Sequence, residues 1–128
     1  MHRDGTTLIE ALVAIALVAT VLPVALAAVS DGAQAIERAR RANLAERVAQ
    51  ARLARLLADG SWITAAGAGV CTAEDDGEDA DGLRWTLAVG TWRDPTVRRI
   101  SLTVAWGVGA RGGSTTLETL ALPSGTTP

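Results

Sequence analysis

The pattern of apolar and polar positions divides the chain at about residue 30 and again at residue 60. Residues 11–29 are uncharged and almost all aliphatic. At about 1.5 Å per residue this run makes a helix of roughly 28 Å, close to the ~30 Å hydrocarbon core of a bilayer. Residues 31–59 admit charges but stay rich in helix formers, and Asp59-Gly60 is the predicted stop. The pattern therefore predicts one long helix, membrane-length at first and amphipathic afterwards.

Two features qualify this helix. Pro23 removes a backbone donor and crowds the carbonyl of Ala19, which predicts a kink or a short melted stretch. In the second half, apolar residues at a spacing near 3.6 form a stripe that is expected to pack against something. These residues are Ile36, Leu44, Val48, Ala51, Leu53, Leu56 and Leu57.

Beyond Gly60 the spacing of apolar residues changes to two. Residues 83–89 and 100–106 alternate apolar and polar positions, and residues 115–122 form a third such segment. Asp94-Pro95 and a glycine-rich loop at 107–113 separate them. We predict an antiparallel meander whose apolar face covers the leucines of the helix, and hence an α+β fold with a long N-terminal helix packed on a small sheet.

The head is expected to have a modest core. The chain has 128 residues, four Trp and neither Phe nor Tyr, so its core must come mainly from Leu, Val and Ala. By alternation, Trp85 and Trp106 are the predicted core anchors, with Trp62 and Trp92 nearer the rim. Cys71 is the single cysteine, which excludes an internal disulfide, and we expect it to be buried and inert.

Much of the acidity lies in one short segment, 74–81. Hard oxygen ligands at this density suit Ca²⁺, but the order of residues does not match an EF-hand loop. We therefore favour a solvated, mobile loop. The candidate metal ligands that this leaves are Asp75, Asp76, Glu78, Asp79 and Asp81.

Arginines recur along the second half of the helix. A row of basic side chains can contact nucleic acid or acidic lipid. We favour a solvated helix face instead, because Glu37 supports Arg40 and Arg41 at i+3 and i+4, and we do not expect nucleic acid as a partner. The arginines concerned are Arg38, Arg40, Arg41, Arg47, Arg52 and Arg55.

The string Gly5-Thr6-Thr7-Leu8-Ile9-Glu10, followed by the apolar run, resembles the class III leader of type IV pilins and type II secretion pseudopilins. The resemblance implies that prepilin peptidase cuts between Gly5 and Thr6 and that Thr6 becomes an N-methylated N-terminus. Glu10 would then be the fifth mature residue. It would pair with the cationic N-terminus of a neighbouring subunit, because mutual neutralisation offsets the cost of burying each charge.

Residues 45–54, Ala-Glu-Arg-Val-Ala-Gln-Ala-Arg-Leu-Ala, are similar to the region after the span in minor pseudopilins of the I class and in the related pilus modification protein V. This implies a structural subunit of the pseudopilus tip in type II secretion, with no cofactor and no catalytic role. The implied partners are sibling minor pseudopilins of the J, K and H classes, the major pseudopilin and prepilin peptidase. The implied location is the inner membrane, crossed once, with the head in the periplasm.

The same resemblance divides the chain into a leader (1–5), a transmembrane half-helix (6–30), an amphipathic half-helix (31–59) and a β-rich head (60–128). It also removes His2, the only histidine, with the leader. The mature chain would then have no Ser-His-Asp or Cys-His arrangement and no histidine-ligated zinc.

Two positions depart from the family pattern, and one rule opposes the orientation. The family usually has Phe at the position of Thr6 and a basic residue at that of Asp4. The positive-inside rule would retain the C-terminal side in the cytoplasm, because one arginine precedes the span and several follow it.

Two alternatives therefore stay open. One is a minor pilin of a type IV pilus that serves assembly or DNA uptake. The other is a soluble periplasmic ion-binding module, released by signal peptidase near Ala27, since Ala25-Leu26-Ala27 satisfies the small-residue cleavage rule.

Overall fold

A computed structural model describes residues 4–123, without the side chains of residues 4–6 and 110. The chain divides into two compact units between Arg38 and Ala39. A single helix, α1, spans Asp4–Asp59 and contributes its first part to one unit and its last part to the other. The predicted long N-terminal helix and its end at Asp59 are confirmed.

Residues 4–38, the described part of the first unit, are helical throughout, and the side chains from residue 7 onward are exposed. Pro23 lies inside α1, yet the helix is continuous through it, so no melted stretch is present. Proline removes only its own N–H from the backbone ladder, and the aliphatic residues on both sides remain helical. Thr20 Oγ1 donates to the Leu17 carbonyl at 2.9 Å, one turn before the proline.

The second unit begins with the last part of α1, which ends where Gly60 adopts a left-handed conformation with φ of 66°. Glycine adopts this conformation without the steric cost that a Cβ would impose. The chain then makes a single 3-10 turn, Ser61–Ile63, which places Trp62 in the core. A tight reversal therefore follows the helix at once.

Within residues 4–123, four antiparallel strands form one sheet in the order β1-β2-β3-β4: β1 (Gly67–Val70), β2 (Arg84–Thr91), β3 (Arg98–Trp106) and β4 (Gly113–Ala121). The predicted meander corresponds to β2, β3 and β4. Its register aligns Leu87, Leu102 and Leu117 in one row across the sheet. β1 is not predicted from the sequence, because Gly-Ala-Gly-Val has no alternation of large apolar and polar residues.

One face of the sheet packs on α1, which confirms the predicted α+β layout. The most buried strand residues are Ile100, Leu102 and Val104 of β3. On the helix, the buried positions are Ala45, Val48 and Ala49, with Leu44, Leu53 and Leu56 partly buried against them. The predicted stripe was only partly right: Ile36, Ala51 and Leu57 are exposed.

The tryptophans differ from their predicted roles. Trp62, expected near the rim, is only 3% exposed, whereas Trp85 and Trp106 are partly buried at the margin of the core. Each of these two lies opposite a glycine of the neighbouring strand, Trp85 opposite Gly69 and Trp106 opposite Gly113. A Cβ on Gly69 would come within 2.9 Å of the Trp85 ring, so the ring covers the glycine backbone. The alternation of apolar and polar residues correctly predicted which face of the sheet carries Trp85 and Trp106, but it could not predict how deeply each side chain is buried.

The β2–β3 connection is fixed by a side-chain turn. The Asp94 carboxylate accepts hydrogen bonds from the Thr96 backbone N–H at 2.8 Å and from its hydroxyl at 2.6 Å. These bonds lower the pKa of Asp94. The stability that these two bonds contribute is therefore fully present above the ordinary pKa of aspartate. It is lost as the pH falls through the lowered pKa of Asp94.

We predict that Leu102→Ala destabilises the head by about 2 to 5 kcal/mol, because it leaves a cavity at a position without solvent contact. Leu120→Ala is the matched control, since Leu120 is 49% exposed and should cost well under half as much. Chemical denaturation of the full chain in detergent measures both. Equal losses would contradict the assignment of the core.

Candidate functional site

The N-terminal segment holds the first candidate site. Residues 1–3 of the predicted leader lie outside the described part of the chain. The junction between Gly5 and Thr6 lies in α1, while the side chains of both residues are outside the described part. The predicted cleavage and methylation at this junction remain predictions.

Glu10 lies on the exposed surface of α1, within the aliphatic region of the first unit. Leu8 and Ile9 before it, and Leu12 and Val13 after it, are all more than half exposed. On insertion scales, a lone charged side chain at the centre of a membrane-spanning helix costs about 2.5 to 3.5 kcal/mol, and Glu10 lies at the start of the apolar run rather than at its centre.

The helix surface that follows Glu10 is predominantly aliphatic and exposed. Between Leu8 and Val29, the large aliphatic side chains are 53% to 71% exposed, and none of the apolar window is buried. By length and composition α1 can cross a membrane. Soluble proteins rarely expose a contiguous apolar surface of this size, so it requires lipid or other helices. The exposed aliphatic residues are Leu8, Ile9, Leu12, Val13, Ile15, Leu17, Val18, Val21, Leu22, Val24, Leu26 and Val29.

The acidic segment, expected as a solvated loop, is folded instead. It forms a one-turn helix, α2 (Ala73–Asp76), and a 3-10 turn, Glu78–Ala80, whose Ala80 is buried. Arg52 Nη1 donates to both carboxylate oxygens of Asp76, at 2.9 and 2.7 Å. The Asp76 side chain is only 3% exposed. This ion pair holds the acidic segment against α1. A loop whose charges were all hydrated would not make such a contact.

Arg52 connects this ion pair to the sheet. Its guanidinium lies 4.3 Å from the centre of the Trp85 ring, a cation–π distance. Arg55 adds a second tie, because its Nη1 donates to the Asp75 carbonyl at 3.0 Å. The interpretation of the helix arginines as a solvated face is therefore wrong for Arg52, which is partly buried, whereas Arg55 is exposed as predicted.

Cys71 is buried next to the same cluster, which confirms the expected burial. Burial, and next the negative charge of Asp76, raise the pKa of its thiol from the ordinary 9.0 to about 11. A thiol of this kind is a weak nucleophile at neutral pH.

The candidate calcium ligands do not converge. Asp76 is engaged by Arg52, and an Asp75 carboxylate oxygen accepts from the Thr72 hydroxyl at 3.3 Å. Glu78 and Asp79 line an open groove beside Arg47 of α1. Among residues 4–123, no three acidic, cysteine or histidine side chains are grouped as a metal site would need.

The Arg52–Asp76 pair is not predicted from the sequence. The two residues are 24 positions apart, and neither belongs to a pattern that marks a contact. The only local hint was that Arg52 interrupts the apolar stripe between Val48 and Leu56.

Comparison with protein-family models, with curated proteins and with solved structures gave no match for this chain.

We predict that Arg52→Ala destabilises the head by roughly 1 to 3 kcal/mol, because Asp76 stays buried without its cation. Arg55→Ala is the control, since it removes only a bond to an exposed carbonyl. Denaturant unfolding of the full chain compares them. If Arg52→Ala lowers the free energy of unfolding no more than Arg55→Ala does, the Arg52–Asp76 pair does not stabilise the head.

We predict a loss of stability between about pH 9 and pH 11 that Cys71→Ala abolishes. The folded protein favours the neutral thiol, so this contribution is complete below the ordinary pKa and is lost as pH rises through about 11. No lysine or tyrosine titrates in the same pH range, because all twelve cationic side chains are arginines and the chain has no Tyr. Melting temperatures across this range test it, and an unchanged slope in the variant would contradict the shift.

Proposed function

We propose that this protein is a filament subunit of the type IV pilin-like superfamily, and specifically a minor pseudopilin of type II secretion. The observation that carries the proposal is the stretch of α1 from Leu8 to Val29, whose large aliphatic side chains are exposed and whose single charged residue is Glu10 near its start. Lipid can cover such a surface before assembly, and sibling helices can cover it in a filament.

Glu10 explains why assembly would be specific. In a helix bundle, apolar contact alone gives little preference for one longitudinal position over another. A single carboxylate in low dielectric does, because only a position that brings a cation beside it avoids the desolvation cost. The N-terminal ammonium created by cleavage after Gly5 would supply that cation from a neighbouring subunit.

The second unit supports the same proposal through its architecture. The C-terminal part of α1 supplies Ala45, Val48 and Ala49 to the core of the head, so the helix that carries the apolar surface is also part of the folded domain. A head attached in this way suits a subunit that makes lateral contacts in the periplasm. As a pilus subunit the chain would use the same physical devices, and the sibling proteins isolated with it distinguish a pilus from a secretion system.

The soluble-module alternative has less support. A cut after Ala27 would fall within a continuous helix, and the acidic residues proposed as its ion ligands are not grouped for a metal within the described part of the chain. Nucleic acid likewise has little support, because Arg52 and Arg55 are engaged by the acidic segment.

We predict that the mature protein begins at Thr6 when prepilin peptidase is present and retains residues 1–5 when it is absent. Intact mass and N-terminal sequencing of protein from matched strains measure this. An N-terminus at Ala28 would support the soluble module and contradict the filament proposal.

We predict that Glu10→Ala is processed normally but enters filaments roughly tenfold less or worse, because the assembly cation loses its partner in low dielectric. Asp31→Ala, an exposed acid just beyond the uncharged run, is the control and should assemble like wild type. Sheared-filament yield measures assembly. Normal incorporation of the Glu10 variant would contradict the charge-pair role.

A further inference from the structure

The free edge of β4 is the most prominent unpaired feature of the head. β4 pairs with β3 through nine consecutive residues without a bulge, and it lies last in the sheet order. No strand among the described residues pairs with its other edge. The backbone N–H and C=O groups that point away from β3 are therefore available to another extended chain.

Edge strands usually carry features that prevent such pairing. These include short length, bulges, proline and lysine or other charges. Within Gly113–Ala121 there is no proline and no basic residue, and Glu118 is the single charge. The opposite edge differs: β1 has four residues, two of them glycine. Only β4 is long and regular enough to serve as a template.

The outward-facing side chains of β4 indicate what a partner strand would carry. On this face Thr103 and Thr116 hydroxyls lie 2.9 Å apart, and Ser101 donates to Glu118 at 3.0 Å. Leu120 on β4 and Leu122 just beyond it are 49% and 63% exposed. A partner with hydroxyl or basic residues beside Thr116 and Glu118, and an apolar residue beside Leu120, would extend the same cross-strand pairs.

A second copy of the chain fits this edge poorly. Antiparallel pairing of two β4 strands over their full length centres on Leu117, which places the two Glu118 carboxylates at diagonal positions. Parallel pairing in register places them side by side. Like charges side by side destabilise a strand pair, and at a diagonal position, roughly 7 to 8 Å apart, they still repel each other.

We propose that the β4 edge accepts an extended strand from a different subunit of the same filament, which continues the sheet of the head. The proposal rests on the proposed function for the identity of the neighbour. The pairing itself rests on the geometry of β4.

A photo-crosslinking amino acid at Thr116 of the full chain, expressed with its sibling subunits, tests the contact. The same substitution at Thr86 is the matched control, because Thr86 is exposed on the same face but lies on an inner strand. We expect at least tenfold more adduct at Thr116, with mass spectrometry locating it in an extended segment of a different pilin-like subunit. A second change, Leu120→Lys, should reduce that adduct without lowering the melting temperature.

Equal yields at the two positions, an adduct only to a second copy, or an adduct unaffected by Leu120→Lys would overturn the proposal. The mature N-terminus is read from the same sample. A Thr6 terminus without the adduct refutes the strand contact alone, whereas a different terminus refutes the filament function whatever the crosslinks show.

Discussion

The ion pair between Arg52 and Asp76 is the interaction on which the layout of the head most depends. It holds a carboxylate that is 3% exposed at 2.7 Å from an arginine of α1, beside Trp85 and Cys71. Buried pairs often add little net stability over apolar residues, but they tolerate few alternative arrangements. The pair therefore fixes where the acidic segment lies. It also assigns that segment a structural role in place of the ion-binding role suggested by its composition.

Much of this fold could be predicted from periodicity. The spacing of two along residues 83–89 and 100–106 predicted β2 and β3, and helix-forming residues up to Asp59 predicted the end of α1. Periodicity could not predict how deeply a side chain is buried or which residues far apart in the sequence are in contact. Trp62 follows the helix in a short turn with no repeating pattern, so nothing marked it as the buried tryptophan. Arg52 and Asp76 meet only because the chain reverses between them.

The candidate site at the N-terminus was predicted in a different way. Gly5, Thr6 and Glu10 were singled out because they resemble a processing signal, and the resemblance alone gave them roles. The structure contributes a separate fact: the aliphatic surface that follows Glu10 is exposed. A core helix of a soluble domain would also be apolar, but it would be covered by its own chain. Exposure is what turns an apolar composition into a requirement for lipid or for other helices.

The two units differ in what they require from their surroundings. The second unit buries its core with its own residues: Ala45 and Ala49 allow the helix to approach the sheet closely, and two tryptophan rings cover two strand glycines. Removal of residues 1–27 would leave that core intact and would take away all but Val29 of the large aliphatic residues exposed before residue 30. A head that acted alone would gain solubility from such a cut. The core of the head does not need the apolar half of α1, so a function for this protein must account for that half separately.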